Sequence, residues 1–313
     1  MFVLPLIGPP ATFTNPIGMG ADPSITYDGT RYALTYTTGN DVRVATSPTL
    51  AGLHAAPMNV VYTPPKETMY WRNLWAPEFF ADRGQTYILF AADDGRDENH
   101  RLYLLRSKSK DVRGPYEFLG KVPTPASTWA IDGFYFRHAG RLYLLWSGRV
   151  QMSDPQRIYI VEMRDTLTPM GRGVAITEPT FDWERVGWPV NEGPTAVAKG
   201  RAVTVTYAAS GGTTMAYCLG RLFNPTGDLM NPKAWEKSPA PVFAGSHGMF
   251  APGHNSFFRA KGGAWWSVFH AKRTAEDGWG GRITAAQPVT FDHRGQAILG
   301  TPAGWDHPFP EPR

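Results

Sequence analysis

The chain has 313 residues, 42% of them apolar and 19% charged, which is the composition of an ordinary soluble protein with a sizeable core. Its net charge of +4 comes from dispersed lysines and arginines, so nothing resembles a nucleic-acid-binding patch. No stretch approaches the roughly 18 apolar residues of a membrane span. The N-terminal run MFVLPLIGPP lacks the positively charged flank that is typical of a signal peptide. We expect a soluble chain without nucleic-acid or membrane partners, either cytoplasmic or exported with its signal removed.

Short strand candidates follow one another along the whole chain, each rich in β-branched and aromatic residues and bounded by Gly, Asp, Asn or Pro. In chain order they include RYALTY, DVRVATS, QTYILFAA, RLYLLRS, RLYLLWS, RIYIVEM, AVTVTYAA, AWWSVFHA and RITAAQPVTF. No segment carries helical periodicity over three turns. The single Cys218 excludes an internal disulfide, and its apolar surroundings predict a buried, inert thiol. The pattern is that of an all-β protein.

A polar side chain recurs at the entrance to a strand, followed by a Gly turn and a second strand. The five occurrences are separated by 56, 54, 60 and 62 residues, at Asp22, Glu78, Asp132, Glu192 and His254. Repeats of this size that contain several strands are typical of propeller blades. We therefore predict a single all-β domain over residues 1–313, a five-bladed β-propeller with four-stranded antiparallel blades that start near these positions. Their polar residues would then converge on one axis.

Three of these positions are carboxylates beside Gly or Pro, namely Asp22, Asp132 and Glu192. Taken singly, each is typical of a turn residue that begins a strand. Three converging carboxylates repel one another, however, and so require a compensating use. Two carboxylates that flank a glycosidic bond can serve as general acid and general base, and a third can raise the pKa of the acid.

These segments resemble glycoside hydrolase family 43 over nearly the whole chain. The matching pieces, in order, are ADPSI, NLWAPEFF, AIDGFYF, NEGPT, TYAAS, AYCLGRL, NPKAWEKSPAPVF, PGHNSFF and RITAAQPVTFDHRGQ. The resemblance implies a five-bladed propeller that cleaves arabinofuranosides or xylosides with inversion. Within the family, the chain looks most like the α-L-arabinofuranosidases, including those that act from the ends of α-1,5-arabinan. The expected partner is an oligosaccharide or polysaccharide, arabinan or the side chains of arabinoxylan, and the expected state is a monomer.

The resemblance also implies roles for the three carboxylates. Asp22 matches the general base, Glu192 matches the general acid, and Asp132 matches the third acid that raises the pKa of Glu192. An inverting enzyme must fit a water molecule between base and sugar, so we expect the two catalytic carboxyls to be about 6.5 to 9.5 Å apart. Asp22 should be ionised and Glu192 protonated near neutral pH.

His254 and Glu78 have less direct roles in the family. The histidine that matches His254 lies at the central channel and often contacts an ion, commonly calcium, partly through water. Because calcium prefers oxygen ligands, we predict a structural, water-mediated site at His254, with no cofactor required for the reaction. The alternative is a histidine that only makes structural hydrogen bonds. For Glu78 the resemblance implies a structural or orienting role.

Three further residues are candidates for substrate binding. An aromatic face can cover the apolar side of a sugar ring, which favours Trp75, although core packing explains a tryptophan equally well. Phe134 lies two residues beyond Asp132 and would share its strand face. Arg282 matches a basic position of the family, whereas a second position, two residues before Gln287, has Ala285 in place of arginine.

Two alternatives stay open at this stage. A β-xylosidase would use the same fold and the same three carboxylates. A carbohydrate-binding propeller without catalysis would keep the blades, since a propeller prescribes no chemistry. Whether the substrate site is a closed pocket or an open cleft depends on the loops at 48–74, 93–101, 149–157 and 274–281.

Overall fold

The computed structural model describes residues 11–313, in which five antiparallel sheets of three to five strands follow one another along the chain, with two further two-stranded pairs. The first two sheets contain β2 (Ser24–Tyr27), β3 (Tyr32–Thr35), β4 (Val42–Ser47) and β5 (Asn59–Tyr62), then β6 (Arg72–Asp82), β7 (Gln85–Asp93), β8 (Arg101–Ser107) and β9 (Tyr116–Val122). The third contains β10 (Trp129–His138), β11 (Arg141–Arg149), β12 (Arg157–Asp165), β13 (Thr168–Pro169) and β14 (Val174–Thr177). The fourth has β15 (Asn191–Lys199), β16 (Ala202–Ala209), β17 (Cys218–Asn224) and β18 (Glu236–Lys237), and the fifth has β19 (Phe250–Arg259), β20 (Trp265–Lys272) and β21 (Arg282–Pro288).

The first strands of the five sheets close a ring. In turn, β2 contacts β6, β6 contacts β10, β10 contacts β15, β15 contacts β19, and β19 returns to β2. Each sheet is therefore a blade whose first strand faces the central axis, and the predicted five-bladed propeller is confirmed.

The fifth blade is completed by the segment that precedes the first. Ile17 N–H donates to Thr284 O over 3.0 Å, and Thr284 N–H donates to Gly18 O over 3.0 Å. The Asn15 side chain adds two hydrogen bonds to the backbone of Ala286. Nearby, β1 (Thr12–Phe13) pairs with β24 (Phe309–Pro310), and β22 (Thr290–Phe291) pairs with β23 (Ala297–Ile298). The two ends of the described chain are thus joined at one blade, which closes the ring.

Buried apolar side chains form five clusters, one at each junction between neighbouring blades. Between the second and third blades, for example, Leu89 and Leu104 pack with Tyr135, Leu144 and Trp146. Cys218 is buried, and burial raises the pKa of its thiol to about 12, so it is inert as predicted. Sheets that bury both faces against neighbours form a rigid frame for the axis.

Helical structure in residues 11–313 is confined to α1 (Leu50–Leu53) and one-turn 3₁₀ segments at Asp97–Asn99, Asp182–Glu184, Pro232–Ala234 and Lys261–Gly263. None of these helices is long or apolar enough to cross a membrane. The N-terminal run MFVLPLIGPP lies outside the described residues.

The inner strands share an irregularity that determines where their polar side chains point. At one equivalent place in each blade the backbone has a positive φ, at Asp22 (55°), Ala76 (44°), Asp132 (54°), Gly193 (54°) and His254 (44°). In the second to fifth blades this residue falls within a shift of strand register, a β-bulge. Bulges break the alternation of side chains and can turn one of them toward a site.

The bulges correct part of the repeat inferred from sequence. Asp22, Asp132 and His254 occupy equivalent positions, as predicted, but Ala76 and Gly193 hold this position in the second and fourth blades. Glu192 therefore lies one residue before the equivalent place, and Glu78 lies two residues after it. The spacing of about 54 to 62 residues was regular enough to suggest that all five positions were equivalent. The strand register shows that Glu192 and Glu78 are offset by one and two residues.

Candidate active site

A pocket of about 300 Å³ lies at one end of the central axis. Six of its lining residues are candidates from the sequence, Asp22, Trp75, Asp132, Glu192, His254 and Arg282, and three are new, Thr37, Ile131 and Trp279. Each of the five blades contributes to this wall. The three carboxylates, spaced over 170 residues of sequence, therefore share one cavity.

Phe134 does not line this pocket. It packs against Phe136 in the cluster between the third and fourth blades and borders a second cavity further along the axis. The expectation that Phe134 would face the same way as Asp132 was wrong because the bulge between Ile131 and Phe134 interrupts the alternation of the strand.

The Asp22 carboxylate is held at both oxygens. Thr37 Oγ1 donates to Asp22 Oδ2 over 2.7 Å and itself accepts the N–H of Ala76 over 2.8 Å, which sets the direction of the hydroxyl. Asp22 Oδ1 lies 3.4 Å from Arg282 Nη1 and 3.3 Å from His254 Nδ1. A carboxylate with these donors is fixed in position on the wall of the pocket.

These contacts also keep Asp22 ionised. Burial by itself would raise the pKa of Asp22, but its neighbours, His254 and Arg282 among them, outweigh it and hold this pKa well below its ordinary value. For His254, burial acts to lower the pKa, yet the surrounding carboxyls raise it above its ordinary value, which favours the charged imidazolium. The pair combines a negative Asp22 with a positive neighbour.

His270 plays a different part. Its Nδ1 accepts the backbone N–H of Asp22 over 3.1 Å, and burial lowers its pKa to about 4. A ring nitrogen that accepts a hydrogen bond carries no proton, so the 3.3 Å approach of this atom to Asp22 Oδ1 is not an ion pair. His270 therefore positions the backbone of Asp22, while His254 and Arg282 supply the positive charge.

The Glu192 carboxyl receives one donor on each oxygen. Tyr217 Oη donates to Oε1 over 2.9 Å, and Gln156 Nε2 donates to Oε2 over 3.1 Å. Burial raises the pKa of Glu192, and the charge of His254 with the hydrogen bonds from Tyr217 and Gln156 opposes this only in part. Glu192 is thus biased toward its protonated form, in contrast to Asp22.

Asp132 lies next to the backbone that carries Glu192. Its Oδ2 accepts the N–H of Gly193 over 2.9 Å. Burial raises the pKa of Asp132 to about 7, the charge of His254 opposes this, and the neighbouring Glu192 and Asp22 add to it. Asp132 and Glu192 therefore titrate as a pair with raised pKa values. Burial is the larger cause for both, ahead of the repulsion between carboxylates that the sequence suggested.

Glu78 lies deeper along the axis and lines the second cavity instead of the pocket. Its Oε1 accepts hydrogen bonds from Ser24 Oγ over 2.9 Å and from Ser256 Oγ over 2.5 Å. Burial raises its pKa to about 7, against the effect of these hydrogen bonds and of His254. These contacts join the first, second and fifth blades and fit a structural role.

The Trp75 ring is a half-buried part of the pocket wall. Its other face stacks on the buried imidazole of His100, with ring centroids 4.1 Å apart. His100 Nε2 lies 3.2 Å from Asn73 O, and Nδ1 lies 3.1 Å from Asp97 Oδ1. A ring supported from behind in this way presents a fixed face to the cavity.

The donor set around His254 does not fit a directly coordinated metal ion. Within residues 11–313 no group of three or more His, Cys, Asp or Glu side chains is arranged to hold one. The Nδ1 atom of His254 faces Asp22 Oδ1, and calcium prefers six to eight oxygen ligands. A water-mediated ion at His254 stays a prediction.

Sequence reasoning missed four polar residues that contact these candidates, namely Thr37, Gln156, Tyr217 and His270. Gln156 is 36 residues and Tyr217 is 25 residues from Glu192, whereas Thr37 is 15 and His270 is 248 residues from Asp22. No local pattern links residues across such intervals. Tyr217 at least falls within a segment, AYCLGRL, that already carried the family resemblance.

Comparisons with known proteins agree with this geometry. The profile described as glycosyl hydrolases family 43 matches residues 13–296. Two similar proteins are named extracellular exo-α-(1→5)-L-arabinofuranosidase. The one from Streptomyces avermitilis is 33% identical, and the match covers 94% of this chain and 64% of that protein. The one from Streptomyces chartreusis is 34% identical, and the match covers 85% of this chain and 84% of that protein. The chain thus spans just under two thirds of the first relative.

A solved structure gives the same result in three dimensions. The α-L-arabinofuranosidase from Lactobacillus brevis superposes with a TM-score of 0.86 at 30% identity, covering 94% of this chain and 98% of that one. The profile match extends over nearly all of the propeller and includes the three carboxylates of the pocket. The chain belongs to glycosyl hydrolase family 43.

Proposed function

We propose that this chain is an inverting α-L-arabinofuranosidase that releases L-arabinofuranose from arabinan or arabino-oligosaccharides. The observation that carries the proposal is the contrast within one pocket between Asp22, held ionised, and Glu192, biased toward its protonated form. A general base and a general acid need opposite protonation states at the same pH.

Asp22 acts as the base. With Oδ2 held by Thr37 and Oδ1 facing Arg282, the carboxylate is positioned to accept a proton from a water molecule. The water oxygen then attacks the anomeric carbon from the face opposite the leaving group, which inverts the configuration. The low pKa of Asp22 keeps it available as a base, and the proton passes to it as the new C–O bond forms.

Glu192 acts as the acid. It donates its proton to the glycosidic oxygen as the bond to the anomeric carbon breaks, so that the leaving sugar departs as a neutral alcohol. Tyr217 and Gln156 fix the two carboxyl oxygens. Asp132 holds the adjacent backbone through the N–H of Gly193 and shares the raised pKa of the pair, so it serves Glu192 without transferring the proton itself.

The choice of sugar is supported by the relatives. Two are named exo-α-(1→5)-L-arabinofuranosidases, and the matching solved structure is named an α-L-arabinofuranosidase. Trp75 is proposed to cover the apolar side of the furanose ring, and Arg282 to approach its hydroxyls from the Asp22 side. Because two relatives are named extracellular, we also propose that the chain acts outside the cell, where polymeric arabinan is reached.

A panel of 4-nitrophenyl glycosides together with α-1,5-linked arabino-oligosaccharides tests this function. We expect release from the α-L-arabinofuranoside and formation of monomeric arabinose from the oligosaccharides. Release from the β-xyloside alone would replace the proposal with a β-xylosidase, and no release from any substrate would favour a binding module. Proton NMR of the first product should show the anomer opposite to that of the substrate.

Variants of the carboxylates test the roles. Folded Asp22→Asn, Asp132→Asn and Glu192→Gln should each lose most activity on oligosaccharides. For Glu192→Gln the loss should be smaller on the 4-nitrophenyl arabinofuranoside, because nitrophenolate leaves without being protonated. A fully active Glu192→Gln variant would exclude Glu192 as the acid.

A further inference from the structure

Trp279 stands at the mouth of the pocket with 65% of its surface exposed. By contrast, the side chains of Asp22 and His254, deeper in the same pocket, are 12% and 11% exposed. Exposure of a whole indole to water is unfavourable, and an exposed aromatic side chain at a cavity mouth is a common mark of a binding surface.

The loop that carries Trp279 is tied down on both sides. Gly278 N–H donates to Thr213 O over 2.6 Å, and Met215 N–H donates to Asp277 Oδ1 over 3.0 Å. From the other side, the buried Lys272 donates from Nζ to Gly278 O over 2.5 Å. These contacts join the loops of the fourth and fifth blades, so the exposed ring is presented on a held backbone.

The indole shares one space with the catalytic acid. A Cβ atom placed on Gly212 would lie 3.2 Å from Trp279 Cζ3 and 3.7 Å from Glu192 Oε1. The bare backbone of Gly212 thus leaves room for the ring on the side of the pocket where Glu192 lies. An inverting enzyme places its acid beside the leaving group and its base on the opposite face of the sugar.

We infer that Trp279 is the stacking platform for the leaving-group sugar, the second arabinofuranose of the chain being cleaved. The inference rests on the proposed function and adds to it a residue that determines preference for an oligosaccharide over a simple glycoside. The cleaved sugar occupies the depth of the pocket with the carboxylates, and the rest of the substrate leaves by the mouth. There the indole face covers one side of the next ring.

Trp279 also touches Arg282, which allows a different role. Arg282 Nε donates to Trp279 O over 3.1 Å, and the guanidinium carbon lies 5.1 Å from the ring centroid. If Trp279 acted only by holding Arg282 against Asp22, its loss would slow all substrates alike. A platform for the leaving group slows only substrates that have a second sugar.

The experiment compares kcat/KM on α-1,5-arabinobiose with kcat/KM on methyl α-L-arabinofuranoside, whose leaving group has no ring. Trp279→Ala should lower the ratio of the two values about tenfold, and Trp279→Phe should restore most of it. Trp188→Ala is the matched control, because Trp188 is also exposed but does not line the pocket. Its ratio should equal that of the unaltered chain.

Each outcome decides one of the two claims. If Trp279→Ala leaves the ratio unchanged, because both rates fall equally or because neither falls, the platform is overturned and the proposed function stays intact. If the unaltered chain cleaves neither arabinoside, the proposed function is overturned and this inference with it.

Discussion

Gln156 Nε2 donates a hydrogen bond to Glu192 Oε2 over 3.1 Å, and the direction of this bond is set by a second residue. Arg149 Nη2 donates to Gln156 Oε1 over 2.7 Å, so the amide cannot be turned round without facing donor to donor. Gln156 also donates to Ser147 Oγ. The amide N–H of Gln156 is therefore fixed toward Glu192 Oε2.

Replacement of Gln156 by leucine should weaken the acid without removing it. We expect kcat on oligosaccharides to fall about tenfold, in line with the loss of one hydrogen bond to a charged or ionisable group, and KM to change little. Because the donor stabilises the carboxylate, its loss should raise the pKa of Glu192 and move the alkaline limb of the pH profile upward. Gln151→Leu, on the exposed part of the same loop, is the control. An unshifted limb would show that Gln156 acts only by packing.

The pH profile of kcat/KM should be one-sided. Asp22, whose pKa lies well below its ordinary value, remains ionised throughout the working range, so no acidic limb is expected above about pH 4.5. Activity should fall as the pH rises through the raised pKa of the Asp132–Glu192 pair, about 7 for Asp132, because the acid loses its proton. In Asp132→Asn the alkaline limb of the remaining activity should move to lower pH, because Glu192 loses a negative neighbour and its pKa falls. Rate measurements on an α-1,5-linked arabino-oligosaccharide, whose leaving group must be protonated by the acid, check both statements.

Glu78→Gln should stabilise the fold at alkaline pH. The folded-state pKa of Glu78 is raised from 4.5 to about 7, so its contribution to stability is present below about pH 4.5 and is lost as the pH rises toward 7. Glutamine keeps the acceptor for Ser24 and Ser256 and never ionises. At pH 8 the variant should gain about 3 kcal/mol in the free energy of unfolding over the unaltered chain, and at pH 4.5 almost nothing.

Urea denaturation at the two pH values measures this difference. The exposed Glu98→Gln variant should show no pH-dependent gain. Equal stability of Glu78→Gln and the unaltered chain at pH 8 would mean that burial does not raise the pKa of Glu78.

Gly193→Ala should damage both backbone and site. Gly193 has a φ of 54°, and an added Cβ would lie 3.0 Å from the His254 ring, which must then move away from Asp22. We expect a loss of about 1 to 2 kcal/mol in stability and at least about a tenfold loss of kcat/KM. Gly200→Ala is a matched control, because its φ is 61° with nothing within 4 Å. It should lose similar backbone stability and retain full activity. Full activity of Gly193→Ala would show that His254 can move without consequence.

The repeat of short strands and polar entrances was sufficient to predict five blades and the three carboxylates, because strand periodicity and turn residues are local properties of the chain. The segments around Asp22, Asp132 and Glu192 also carried the family resemblance across the full propeller. Trp75, His254 and Arg282 were likewise placed at the pocket.

Tertiary structure decided the rest. The bulge in the third blade turned Phe134 away from the pocket. In the second and fourth blades, Ala76 and Gly193 occupy the position that Asp22 occupies in the first. A bulge adds one residue to a strand without altering its composition, so the alternation of faces cannot be followed across it from sequence. The partners that set the protonation of the carboxylates, such as His270 at 248 residues from Asp22, meet them only when the ring of blades closes. Sequence thus determined which acids are present, and closure of the ring determined which of their pKa values are raised and which is lowered.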